Sequence, residues 1–298
     1  MIKGQPSRTA FMTAVQRGHH YHTAPEPKIL RDDLALALAG LETVEAAQGY
    51  IDKMIETFAA LSDKETAALF MKRVDQSVCM RSRVVEEKLA IAKERGVKQL
   101  VILGAGLDST AYRCTQLTGG LEVFEVDHPS TQMWKREQLV AANIQAPENL
   151  RFVSFDFENQ TLAEALKAGG IDSDVPTFFT WLGVQMYLTD EAVKATLGVM
   201  GAFPAGSEMV MDFISPSYVQ TGSLVENSVA YLQDVVSKMG EPIKSQYYEA
   251  DLEEILKTSG FSAVHYLNAR WLRDNYLGGD YAAFDLPDDA TFILSAVI

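Results

Sequence analysis

Residues 99–109 read QLVILGAGLDS, and residues 121–129 read LEVFEVDHP. These two stretches decide the fold. Gln99 to Leu103 is a short apolar run bounded by a glycine, the pattern of a strand buried on both faces of a parallel sheet. It runs into Gly104-Ala105-Gly106, whose glycines permit a tight turn and let a ligand approach bare main chain. Helical text follows from Ser109. The second apolar run ends in Glu125-Val126-Asp127, about twenty residues past the turn, where a carboxylate can accept both hydroxyls of an adenosine ribose. Alone, Gly-x-Gly says no more than a tight turn, and Asp127 no more than a cap for the helix that opens at Pro129. In this order they point together to an adenosine-containing cofactor. Ser109 stands where the dinucleotide fingerprint has its third glycine, which counts against an NAD-dependent oxidoreductase.

The same alternation continues outward. Further strand-like runs lie at 151–155, 177–182, 208–213, 262–267 and 291–298. Helical segments at 109–117, 129–143, 161–168, 190–200 and 251–259 separate most of them. Strand–helix alternation predicts a parallel sheet covered by helices on both faces. The last two strands are joined by a Gly/Asp/Tyr-rich loop with no clear crossover helix, so the final strand is expected to run antiparallel. Before Lys98 the text is helical, at 33–41, 43–61, from Asp63 with Ser62 as its cap, and at 81–95. The expected fold is α/β: a Rossmann-like, seven-stranded, mostly parallel sheet with its last strand antiparallel, plus an N-terminal helical cap. Residues 1–96 would form the cap or lid. Residues 97–298 would form the cofactor-binding domain, with insertions near 215–248 and 268–289.

Composition narrows the partners. The 298 residues hold 40 acidic and 26 basic side chains, a formal net charge of −14, which repels a phosphate backbone or an anionic membrane. Nucleic acid and membrane are not expected as partners. Two cysteines, Cys79 and Cys114, cannot build a disulfide framework. The N-terminus lacks the apolar stretch of a secretory signal, and no run is long enough to span a bilayer. A soluble cytoplasmic protein is the expectation. His19, His20 and His22 cluster in an N-terminal segment read as folding over the cofactor mouth. The Cys/His spacing of a zinc site is absent, and no metal is expected.

The third strand ends at Phe155-Asp156-Phe157. An acidic residue here can accept from an adenine amino group, the next backbone N–H can donate to a ring nitrogen, and an aromatic ring can pack on the base. A helix-capping aspartate beside a core phenylalanine would read the same way.

The segments VILGAGLDSTAYR (101–113), FEVDHPSTQMWKREQL (124–139), FVSFDFEN (152–159) and FFTWLGVQMYLTDEAV (178–193) together resemble the leucine carboxyl methyltransferase family, in its bacterial S-adenosylmethionine-dependent branch. SRTAFMTAVQRG (7–18), RDDLALALAG (31–40) and RSRVV (81–85) are similar to the family's opening and its basic segment. The resemblance spans most of residues 7–200. It implies the class I methyltransferase fold and the cofactor S-adenosyl-L-methionine. Gly104, Ala105 and Gly106 would line the cofactor's methionine part, Asp127 would hold the ribose, and Asp156 with the backbone of Phe157 the adenine. Arg83, or alternatively Arg81, would pair with the cofactor carboxylate, which a planar guanidinium matches bidentately. Leu182 is counted with the cofactor-binding positions, and it marks a departure: the family's eukaryotic carboxyl methyltransferases carry a glutamate there, five positions before the tyrosine matching Tyr187.

The chemistry implied is methyl transfer to oxygen, a carboxylate or hydroxyl of a small-molecule acceptor. A protein C-terminal carboxylate is the second choice, and an NAD-dependent oxidoreductase the alternative from another class. A carboxylate acceptor needs no general base, whereas a hydroxyl would profit from one. No residue is assigned as catalytic. Trp271, Tyr276, Tyr281 and Phe284 could either pack on an apolar acceptor or seal the sheet edge.

Overall fold

All seven strands that the alternation predicts are present in the computed structural model, which describes residues 7–60, 63–156, 160–216, 233, 237, 240–278, 284 and 286–298. They are β1 (Gln99–Leu103), β2 (Glu122–Asp127), β3 (Leu150–Ser154), β4 (Thr177–Trp181), β5 (Glu208–Asp212), β6 (Ala263–Asn268) and β7 (Thr291–Val297). Their order in the sheet is β3-β2-β1-β4-β5-β7-β6. Strands β1 to β5 are parallel, and β7 runs antiparallel to both β5 and β6. From β1 the chain winds outward to β3, then returns to place β4 on the other side of β1. The crevice between the carboxyl ends of β1 and β4 is therefore the topological switch point, where open α/β sheets bind ligands.

Period-two alternation sorts the strand residues onto two cores. Leu100, Ile102, Val123, Phe178, Val210 and Ile293 face one core, which also takes in the N-terminal helices. Val101, Leu103, Phe124, Phe179, Trp181 and Met211 face the other. Charge also enters this interior. Lys135, on α7 (Pro129–Ala141), reaches Glu125 of β2 at 2.7 Å with both side chains about 1% exposed. Burial pushes the Glu125 carboxyl up to about 7 even against the Lys135 ammonium.

The N-terminal region is helical, with helices α1 (Arg8–Thr23), α2 (Ala35–Leu38), α3 (Val44–Ala59) and α4 (Lys64–Glu94). The two helices expected from Asp63 onward and over 81–95 are one 31-residue helix, α4. Asp63 caps it, accepting from the Thr66 N–H at 2.9 Å; the expected cap, Ser62, lies outside the described residues. The helix expected over 109–117 breaks at Cys114 into α5 (Thr110–Arg113) and α6 (Thr115–Thr118). Next come α8 (Leu162–Gly169), α9 (Asp190–Gly201) and α10 (Glu249–Thr258). The loop expected over 268–289 is in part helix: α11 (Ala269–Tyr276) starts at Asn268, whose side chain caps the Trp271 N–H at 2.8 Å. Most of the 215–248 insertion lies outside the described residues. Among the described residues no helix is long and apolar enough to cross a membrane.

Candidate active site

The turn after β1 is tied to the end of β2. The N–H groups of Gly104 and Ala105 both donate to the Val126 carbonyl, at 2.8 and 3.2 Å. The Gly106 N–H donates to the Asp127 carboxylate, and the His128 N–H donates to its other oxygen at 2.6 Å. Each Asp127 oxygen thus holds one amide and keeps a lone pair, a spacing that suits the two hydroxyls of a vicinal diol. Desolvation raises the Asp127 carboxyl above its ordinary range, and the two amides offset part of that shift.

The glycines are needed for two reasons. Gly104 and Gly106 have φ of +66° and +49°, in the left-handed region. A Cβ at Gly104 would also stand 2.2 Å from Val184 Cγ2, and one at Gly106 would stand 3.2 Å from Ala10 Cβ. What approaches the bare backbone here is protein: Val184 from beyond β4 and Ala10 from α1. Helix α1 lies across the turn, with Ala10 and Arg17 against it.

A buried ion network fixes that helix. Arg17 of α1 donates to Asp32 at 2.8 Å and to the Leu107 carbonyl of the turn at 2.7 Å. Arg113 of α5 stands 3.5 Å from the same carboxylate and pairs with Glu86 of α4. Burial opposes the Asp32 charge, but the Arg17 and Arg113 guanidiniums outweigh it and hold the carboxyl below its ordinary range.

A second polar group sits past β4 and β5. Asp212, at the end of β5, accepts from the Gly183 N–H at 2.7 Å and from Arg81 of α4. Gly183 has φ of +69°, and a Cβ there would lie 3.0 Å from the Arg81 guanidinium. Arg81 is 15% exposed and turned into the β4–β5 end of the sheet. Arg83 faces out instead, 44% exposed and paired with Glu87 one helical turn along at 2.7 Å. Leu182 is partly buried between Trp181 and Gly183. Nearby, the Thr9 hydroxyl and amide donate to Glu241, and burial with the Glu241 charge pushes the Tyr187 phenol up to about 12.

The structure thus brings Gly104, Ala105, Gly106 and Asp127 together, and sets Arg81 rather than Arg83 toward the sheet. Asp156 follows β3, its N–H donating to Gln160 at 3.2 Å, while Phe157 lies outside the described residues. Phe284 is fully buried against Phe292 of β7, ring centres 5.6 Å apart, so it seals the sheet. Tyr276 donates to Glu87, Trp271 is exposed, and Tyr281 lies outside the described residues. Sequence reasoning missed Gly183, Asp212, Thr9 and Glu241. For the first two a signal existed: an acid closing a strand and a glycine just past one repeat the pattern already read at Asp127 and Gly104.

The side chains present fit a sulfonium nucleoside. Asp127 retains acceptors for a diol, and the inward-turned Arg81 offers N–H donors for a carboxylate. The strand order, the reversed β7 and this crevice at the switch point define a class I methyltransferase fold. The chain belongs to the leucine carboxyl methyltransferase family, whose model matches residues 10–201. It is 30% identical over 285 residues to YktD of Bacillus subtilis, provisionally named an S-adenosyl-L-methionine-dependent methyltransferase, with 92% of each chain covered. A similarly named protein of Mycolicibacterium paratuberculosis is 29% identical, covering 69% of this chain and 65% of that one. Among solved structures, a DUF574 family protein from Streptomyces avermitilis superposes with a TM-score of 0.57 at 14% identity, covering 99% and 98% of the two chains. A protein of Thermobifida fusca, provisionally titled a methyltransferase, superposes with a TM-score of 0.51 at 16% identity, covering 99% and 94%.

Proposed function

We propose that this methyltransferase uses S-adenosyl-L-methionine to methylate an oxygen, carboxylate or hydroxyl, of a small-molecule acceptor. The observation that carries the reading is the Asp127 carboxylate, bridged to the glycine turn at the switch point with a lone pair free on each oxygen. The cofactor, when bound, supplies a methyl group on a positive sulfur. The chain's own part is to bind, align and exclude water. Asp127 takes the ribose hydroxyls and Asp156 the adenine amino group. Arg81, not Arg83, takes the cofactor carboxylate, because Arg83 faces outward. Helix α1, held by Arg17 and Asp32, covers the turn. With its phenol pushed up to about 12, Tyr187 stays protonated at neutral pH and serves as a hydrogen-bond donor. Leu182 offers no charge where the family's eukaryotic carboxyl methyltransferases have a glutamate, which favours a metabolite over a protein C-terminus.

Calorimetry with S-adenosylhomocysteine and with NAD tests the cofactor. Binding of NAD and not of the sulfur compound would overturn the reading. Asp127→Ala should weaken S-adenosylhomocysteine by about 1.5–3 kcal/mol, the value of hydrogen bonds to a charged group. Arg81→Met should weaken it similarly and Arg83→Met should leave it unchanged; the reverse would return the carboxylate to Arg83. For the acceptor, methyl transfer to metabolite extracts is compared with transfer to a peptide ending in leucine. Labelling of the peptide alone would overturn the small-molecule assignment.

A further inference from the structure

The cap holds a second polar cluster that the methyl-transfer reading does not use. His20 of α1 points toward α4, where Asp75 and Cys79 stand four residues apart and so share one helix face. One nitrogen, one carboxylate oxygen and one sulfur from these three residues all lie within 4.8 Å of one another. His20 Nδ1 and Asp75 Oδ2 are 3.0 Å apart. Two ligands of one tetrahedral ion stand about 3.3 Å apart when their bonds to it are near 2.0–2.1 Å.

Two further observations single the cluster out from an ordinary buried ion pair. His20 is 5% exposed and Gln76 5%, yet His20 Nε2, Asp75 Oδ1 and Gln76 Oε1 are buried with no hydrogen-bond partner. Buried polar atoms are normally satisfied, so unpaired atoms on three residues that line one cavity ask for a partner there. His20, Asp75 and Gln76 also line a cavity of about 400 Å³ beside α1, α3 and α4, so an ion or a water can reach the His20–Asp75 side of the cluster, with Cys79 buried behind it. We propose that His20, Asp75 and Cys79 form a binding site for a divalent transition-metal ion of the zinc class, with Gln76 or a water at the fourth position. The mixed N, O and S donor set selects such an ion over magnesium or calcium, which take oxygen ligands. On loading, the Cys79 thiol forms the sulfur–metal bond and releases its proton to the buffer, while Asp75 binds as the carboxylate. The ion would pin α1 to α4, and α1 carries both Ala10 against Gly106 and Arg17 against Leu107.

The test uses the full chain, freed of metal with a chelator, reduced, and titrated with Co²⁺ and with Zn²⁺. The expected result is one ion per chain, with a thiolate-to-cobalt charge-transfer band in the near ultraviolet. Cys79→Ser should abolish the band, and Cys114→Ser should keep it. Asp75→Asn, nearly the same shape and so a safeguard against misfolding, should weaken Zn²⁺ by roughly a hundredfold, the upper range for losing even an outer partner. His19→Ala/His22→Ala should bind as the wild type does. Failure to bind stoichiometric metal would overturn the site, as would a band that survives Cys79→Ser or binding that depends on His19 and His22. Titration of the same samples with S-adenosylhomocysteine reports separately on the cofactor reading.

Discussion

Gly104→Ala separates two reasons for a glycine, and the structure lets each be sized. The backbone at φ +66° costs an alanine about 1–2 kcal/mol in the left-handed region. The new Cβ would also lie 2.2 Å from Val184 Cγ2, an overlap that forces a shift and costs about 1–3 kcal/mol more. The expected destabilisation is about 2–5 kcal/mol. Gly120 supplies the control: its φ is +80°, with nothing within 4 Å of its would-be Cβ, so Gly120→Ala should cost only the backbone share, about 1–2 kcal/mol. In a Val184→Ala background the clashing methyl is gone and the nearest atom is the residue 184 Cβ at 3.3 Å. There, Gly104→Ala should recover the overlap share, about 1–3 kcal/mol, as a favourable coupling in a double-mutant cycle. Urea unfolding of wild type, the two single variants and the double variant gives the cycle, and calorimetry with S-adenosylhomocysteine shows whether the turn still binds. If Gly104→Ala costs no more than Gly120→Ala, or the coupling is zero, the close approach of Val184 to the turn is not real.

Other outcomes follow from the buried charges. Asp32→Ala leaves Arg17, 8% exposed, with no carboxylate and Arg113 with Glu86 alone, and should cost about 3–5 kcal/mol in urea unfolding; a midpoint within error of wild type would dismiss the network as ornamental. Because the Asp32 carboxyl is held below its ordinary value, its contribution is complete above pH 3.8 and falls away as pH drops through its folded value. The stability gap between wild type and Asp32→Ala should therefore narrow below that pH, and a gap that instead widens in acid would reverse the assigned sign. Lys135→Met leaves the buried Glu125 without its cation, held only by the Tyr112 hydroxyl at 3.3 Å, at a cost of about 3–5 kcal/mol, while Glu125→Leu/Lys135→Met should regain most of it; additive losses would show that the two do not act as a pair.

The sheet was readable because its signals are local. QLVIL, bounded by Lys98 and Gly104, coincides with β1 to the residue, and no end of the other strands shifts by more than one position. Helix α1 was not read as a helix because its buried side includes Gln16, Arg17 and His20, which blur the apolar period that marks a helix. Helix α11 went unseen because it is two turns long and half charged or polar. At the site, the residues whose position could be read from the text are those next to a strand end, Gly104, Gly106 and Asp127, where topology alone dictates position. The choice between Arg81 and Arg83 lay beyond the text. Both sit on one helix, and only the packing of α4 against β4 and β5 decides which faces Asp212.

The buried charges around Asp32 bear on how α1 is held over the glycine turn. An apolar cluster of similar volume at Arg17, Asp32 and Arg113 would cost less desolvation and would hold α1 at least as firmly. It would aim α1 less sharply, because apolar attraction has no direction of its own. Arg17 supplies one, since its planar fork reaches the Asp32 carboxylate and the Leu107 carbonyl at once, and both bonds fail together if α1 shifts. Arg113 and Glu86 carry the same restraint from the far side of the turn into α4, the helix that presents Arg81. The cover over the glycine turn and the arginine assigned to the cofactor carboxylate are thereby registered to each other through one carboxylate, Asp32. Arg17→Met is the variant that separates aim from firmness. It should leave α1 packed but lower affinity for S-adenosylhomocysteine. Unchanged affinity would mean that the helix is positioned by packing alone.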